Sequence, residues 1–265
     1  MISLLGIPYD DSSSYLRGSA LAPERIRAAL RSSSSNLSIE NGMSFDQVGL
    51  VEDLGDLLLP VGPEHREAIS SAIGSLLDKG KKTLVLGGDH SISYPILSAF
   101  ATRMEALHVI QFDAHPDLYD ELDGDKYSHA SPFARLLEEF PHIRLTQIGI
   151  RTINAHCRMQ ADRLGVRVFE MRDLPAISML DIDGPVYISL DLDVLDPAFA
   201  PGISHYEPGG LSVREVLSYI HQLPNHIVGA DIVELNPTRD RNEQTAMVAA
   251  KFVKEIAGQM AQNAT

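Results

Sequence analysis

Two apolar runs in this chain end in acidic residues at alternate positions, and that pattern narrows the folds open to it. Val109 to Asp117 reads VIQFDAHPD, and Val186 to Asp193 reads VYISLDLD. Both runs carry β-branched and aromatic residues and hold no turn former, as expected of strands buried on both faces of a parallel sheet. Their acidic ends then lie at the carboxyl edge of that sheet, where open α/β folds keep their sites. If strand geometry continues past Phe112, the side chains of Asp113, His115 and Asp117 point to one side. Asp191 and Asp193 repeat the spacing on the second run.

Gathering these four aspartates without compensation is untenable, because each unpaired charge taken from water costs on the order of several kcal/mol. A pair of divalent cations balances them, and His90 and His115 add neutral nitrogen ligands. An oxygen-rich set with some imidazole and no thiolate suits manganese or magnesium better than structural zinc. His90 arrives through GGDHS, which follows an apolar run at Thr83 to Leu86; the paired glycines let the backbone turn tightly there. GGDH alone is a weak motif, since a histidine after a turn is more often a surface or hydrogen-bonded residue. Its placement at the same strand edge as the acidic clusters strengthens it.

The rest of the chain alternates in the same way. Strands are expected at Ile2 to Ile7, weakly near Gln47 to Val51, at Ile143 to Ile150, at Val166 to Phe169 and at Ile227 to Val233. Helices are expected from Pro23, from Pro63 to Asp78, over Ser91 to Phe100, after His129 through SPFARLLEEF, around Asn154 to Leu164, over Leu211 to Leu223 and over Gln244 to Met260. Such alternation predicts an α/β fold with a parallel sheet sandwiched by helices, and 265 residues, 44% apolar, fill one domain spanning 1–265. The loop Leu118 to Ser128 carries four carboxylates against Lys126 alone, which reads as a solvated rim or as a device that draws cations to a mouth.

A formal charge of −14 argues against nucleic acid or an anionic membrane as partner and mildly favours a cationic small substrate. No apolar run approaches the roughly 18 to 20 residues that cross a bilayer, and MISLLGIPYD lacks the marks of a secretion signal. The single cysteine, Cys157, makes no internal disulfide, so a cytoplasmic location is expected.

Taken together, GGDHS, DAHPD, SHASPF, SLDLDVLDPAFAPG and DIVELNP resemble the ureohydrolase family, the arginases, agmatinases and their relatives. DAHPDLYD, KYSHASPFAR and SHYEPGGLS look most like the plant-type arginase branch and its bacterial kin. The resemblance implies a three-layer α/β/α fold around a mostly parallel sheet, two Mn2+ per subunit and a homo-oligomer, trimer or hexamer. It implies that His90, Asp113, Asp117 and Asp191 hold one ion and that His115, Asp113, Asp191 and Asp193 hold the other. The expected reaction is hydrolysis of a guanidino C–N bond to release urea, with L-arginine to L-ornithine ahead of agmatine to putrescine or guanidinobutyrate. In that reaction Glu234 would hold the guanidinium, Asp117 would pass a proton to the leaving amine, and His129 would shuttle protons to solvent. Structural alternatives are a salt bridge from Glu234 to Arg239 and a helix-cap role for His129. Two other functions stay open: a single-zinc deacetylase-like amidohydrolase, told apart by metal stoichiometry, and a metal-stabilised binding subunit without turnover.

Overall fold

The apolar runs become the strands of one sheet. In the computed structural model, which describes all residues except 48–49, 175, 177–179, 183, 224–225 and 263–265, these are β1 (Ile2–Gly6), β2 (Val51–Asp56), β3 (Lys82–Leu86), β4 (His108–Phe112), β5 (Arg144–Ile150), β6 (Arg167–Glu170), β7 (Val186–Asp191) and β8 (Ile227–Val233). The intervening helices are α1 (Ala22–Leu30), α2 (His65–Asp78), α3 (Ser93–Ala101), α4 (Pro132–Glu139), α5 (Ala155–Leu164), α6 (Val213–Gln222) and α7 (Gln244–Ala261). Every strand pairing is parallel, in the order β2-β1-β3-β8-β7-β4-β5-β6. The weak strand expected near Gln47 to Val51 begins only at Val51; Val48 and Gly49 lie outside the described residues. As an edge strand, VEDLGD leaves most of its side chains exposed, so it carries no apolar signal in the sequence.

Strand alternation sorts the core into two layers, one on each face. Ile110, Ile188 and Ala230 pack with Ile26, Ile220, Phe252 and Ile256 of α1, α6 and α7. On the other face Val109, Leu145 and Tyr187 pack with Ile69, Ile96, Phe133 and Leu136 of α2, α3 and α4. Burying this much β-branched and aromatic surface, at about 25 cal/mol per Å2, is the main favourable term holding the layers.

The last two strands insert between β3 and β4, so the four central neighbours are β3, β8, β7 and β4. Their carboxyl ends open side by side where the winding reverses, the place at which doubly wound sheets form a crevice. Just below that edge, Gln147, Gln111, Ser189 and Asp231 stand in register across four adjacent strands. They lie on the face that α3 covers, since Ser93 Oγ reaches Asp231 Oδ2 at 3.0 Å.

Candidate metal centre

Each central strand delivers its polar residues by a distinct local device. After β3, Gly88 runs against the Tyr9 backbone so closely that a Cβ there would lie 1.7 Å from the Tyr9 carbonyl oxygen. Asp89 then caps a short 3-10 turn by accepting the Ser91 amide, and His90 enters the crevice fully buried. After β7, Asp191 accepts the Asp193 amide at 2.8 Å, and the resulting turn brings the second aspartate around. Asp193 in turn accepts the Ala114 amide at 3.0 Å, which ties the β7 loop to the β4 loop.

The β4 loop differs from the sequence expectation. Strand geometry stops at Phe112, so simple alternation does not align Asp113, His115 and Asp117. Asp113 Oδ1 accepts the His115 amide at 2.6 Å, and Asp117 adopts a left-handed backbone with φ of 50°. A turn and not a strand brings the three residues together.

The six sequence-picked ligand candidates converge in two overlapping groups. His90 Nδ1 lies 3.1 Å from Asp113, 3.0 Å from Asp117 and 3.2 Å from Asp191. His115 Nδ1 lies 2.9 Å from Asp193 Oδ2 and 3.6 Å from Asp113 Oδ1. Asp113 belongs to both groups, each of which could hold a metal ion.

The far side of the His90 ring tests whether a cation fits. Nε2 sits 2.9 Å from Ser189 Oγ, whose hydroxyl donates to Asp231 Oδ1 at 2.8 Å. A hydroxyl has one proton, so Ser189 must accept from Nε2–H, which leaves the Nδ1 lone pair facing three carboxylate oxygens. Nδ1 has no hydrogen-bond partner despite complete burial. Lone pair against carboxylate is repulsive, and only a proton or a cation relieves it. Without a cation, burial disfavours the imidazolium, yet Asp113, Asp117 and Asp191 hold the His90 pKa well above the usual histidine range. Burial and the neighbouring Asp193 and Asp113 charges push Asp191 well above the carboxylate range, and burial with Asp113 lifts Asp117 to about 6. A buried cluster that must borrow protons to coexist has the chemistry of a divalent-cation site.

Across a cavity of about 180 Å3, lined among others by Ser14, Tyr119, Thr152 and His205, the structure brings together the remaining two picked residues. Glu234, at the end of β8 with φ of 64°, accepts the His90 amide at 2.9 Å and faces His129 Nδ1 at 3.1 Å. The alternative of a salt bridge to Arg239 is not realised, because that guanidinium lies over the Tyr206 ring. Nor does His129 act as a helix cap: its Nε2 meets Ser14 Oγ at 2.8 Å and the Ser14 amide at 3.2 Å. Burial opposes protonation of His129, while the Glu234 carboxylate raises it to about 9. The Ser14 amide favours the neutral ring, so His129 sits between two competing demands.

Several site residues escaped the sequence reading: Ser14, Ser189, Asp231, Gln111 and His205. For three of them a signal existed, since Gln111, Ser189 and Asp231 each interrupt an otherwise apolar buried strand. The rim loop is solvated, with Glu121, Asp123 and Asp125 exposed, and Asp120 is met by Arg135 and Arg163 at 3.8 Å and by His156 at 3.5 Å, so it is no free charge at the mouth.

The arginase family model matches residues 1–258. The chain belongs to the arginase family. This arginase-family chain is a ureohydrolase and is 45% identical to Arginase 1, mitochondrial, of Arabidopsis thaliana, over 97% of this chain and 80% of that protein. It is 34% identical to an agmatinase of Bacillus anthracis, over 96% and 90% of the two. The solved arginase of Medicago truncatula superposes with a TM-score of 0.90 at 40% identity, covering 98% of this chain and 87% of that one. The arginase-like parallel sheet expected from the sequence is therefore the fold observed. Among the described residues, no helix is long and apolar enough to cross a membrane.

Proposed function

We propose that this ureohydrolase hydrolyses L-arginine to L-ornithine and urea at a two-manganese centre, as one cytoplasmic domain spanning 1–265. The observation that carries the reading is the convergence of three carboxylate oxygens within 3.2 Å of an unpartnered His90 Nδ1, facing the Glu234–His129 pair. His90, Asp113, Asp117 and Asp191 would hold one ion, and His115, Asp113, Asp191 and Asp193 the other. When bound, such a pair activates water near neutral pH.

The chain's own residues account for the rest of the reaction. A guanidinium carbon is a poor electrophile, so the substrate must be held in line with the nucleophile. Glu234, ionised and buried, offers charge-assisted hydrogen bonds to the guanidinium. Asp117 would take a proton from the attacking water and return it to the leaving amine, which departs only when protonated. His129, close to the mouth and next to Ser14, relays protons between the site and solvent.

Substrate preference rests on similarity and on the rim. The plant arginases are closer in sequence than the agmatinase, and the capture of Asp120 by two arginines weakens the electrostatic case for agmatine. Tyr119 accepts a hydrogen bond from Asn154 at 2.7 Å, which leaves its hydroxyl proton free to meet a carboxylate in the cavity. The family resemblance also supports a trimer or hexamer, to be sized by analytical ultracentrifugation. The deciding experiment loads the protein with Mn2+ and measures urea released from arginine, agmatine and guanidinobutyrate. Arginine is expected to give the highest kcat/KM; no urea from any of the three would overturn the proposal.

A further inference from the structure

We propose that Gln111 is a positioning residue for the metal centre, with Gln147 braced behind it. The inference rests on the metal-dependent reading above and extends it to two uncharged residues that coordinate nothing themselves. Both amides are completely buried on neighbouring strands, β4 and β5, where the parallel register sets them opposite each other. Burying two amides in a sheet is costly unless their protons are used, and here all four are. Gln147 Nε2 donates to Gln111 Oε1 at 2.7 Å and to the Pro116 carbonyl at 2.5 Å. With its oxygen occupied, Gln111 turns its Nε2 toward the loop, donating to Asp113 Oδ2 at 2.6 Å and to the His115 carbonyl at 3.3 Å.

The pair thus grips the Asp113–Asp117 loop at one side chain and two carbonyls. Its most consequential grip is on Asp113, which lies in both ligand groups. The Asp113 oxygens are each held by a neutral donor, Oδ1 by the His115 amide and Oδ2 by Gln111, so the carboxylate is oriented by the fold before any cation arrives. A lysine or arginine would orient it equally well but would cancel the charge the cation needs. An apolar residue would fill the space but leave Asp113 Oδ2 without its donor, with only the His115 amide to orient the carboxylate. An amide orients without neutralising. It is the same division of labour seen on the neighbouring strand, where Ser189 orients His90.

The test is calorimetric titration of chelator-treated full-length protein with Mn2+, with thermal unfolding of the same metal-free samples as a control. Gln111→Leu is expected to weaken Mn2+ binding by about 10- to 100-fold in both binding events, because both groups share Asp113. Gln147→Leu touches no candidate ligand side chain and is expected to lose less, about 3- to 10-fold, which keeps the proposal testable if Gln111→Leu fails to fold. A purely structural role would lower the melting temperature of the metal-free variants and leave Mn2+ affinity within about threefold of wild type, and that result would overturn the inference. Failure of the wild-type protein to take up Mn2+ would instead refute the metal reading beneath it.

Discussion

Replacing Glu234 by Gln probes the pairing on which the substrate side of the site depends, and it does so without changing shape. The Glu234 oxygen that faces His129 also accepts the His90 amide, and a glutamine carbonyl can accept both contacts as a neutral group. What is lost is charge. His129, opposed by burial but raised mainly by Glu234 with smaller help from Asp89 and Asp117, moves from 6.5 to about 9. At 1.36 kcal/mol per pKa unit, a shift of that size corresponds to ~3 kcal/mol, with Glu234 the largest favourable cause. A raised histidine stabilises the fold fully below its unfolded pKa and loses that contribution as pH climbs through 9. Glu234, despite its burial, is lowered from 4.5 by His129, so its share is present above 4.5 and fades below it. In chelator-treated protein the Gln variant should therefore be destabilised most between about pH 5 and 6.5, with the difference from wild type closing above pH 9. Urea denaturation across that range measures it, and NMR titration of His129 should show a midpoint moved down toward 6.5. In the Mn2+-loaded enzyme, loss of a charge-assisted contact to the guanidinium should lower kcat/KM for arginine about 10- to 100-fold. A variant that unfolds at the wild-type midpoint at pH 6, with His129 still titrating near 9, would refute the reasoning.

Three further outcomes are expected. Gly88→Ala places a methyl group 1.7 Å from the Tyr9 carbonyl, a backbone atom that cannot swing away, so stability should drop by about 3 kcal/mol and the melting temperature by roughly 6 to 12 °C. Mn2+ binding should release protons and weaken as pH falls, by at least about tenfold per pH unit below 6, because His90, Asp191 and Asp117 all hold protons in the metal-free cluster; calorimetry in buffers of different ionisation enthalpy reads the proton count. Ser189→Ala strands the His90 Nε2 proton and should reduce Mn2+ affinity about 10- to 100-fold, whereas an unchanged affinity would mean that ring orientation is set elsewhere.

Much of the fold was legible because it depends on short-range pattern. Buried parallel strands need mostly apolar runs, and VIQF, VYISL and IVGADIV, each broken by one polar residue, supply them before their acidic ends. The edge strand β2 was misplaced by a few residues because an exposed edge has no apolar face to advertise it. The ligand candidates were legible because carboxylates and histidines concentrated at strand ends are costly without cations. How DAHPD folds was not, since the turn depends on Asp113 capturing the His115 amide and on a left-handed Asp117.

By itself the sequence determined the layer order of apolar and acidic residues, and hence a parallel sheet whose carboxyl edge collects charge. That follows from solvation, which every residue carries with it wherever the chain goes. Only the tertiary structure decided which strands are neighbours. Inserting β7 and β8 between β3 and β4 sets His90, Asp113, Asp191 and Glu234 side by side, and lays Asp231, Ser189, Gln111 and Gln147 in one row beneath them. Strand order is a long-range choice among similar apolar edges, and no local preference in the chain encodes it.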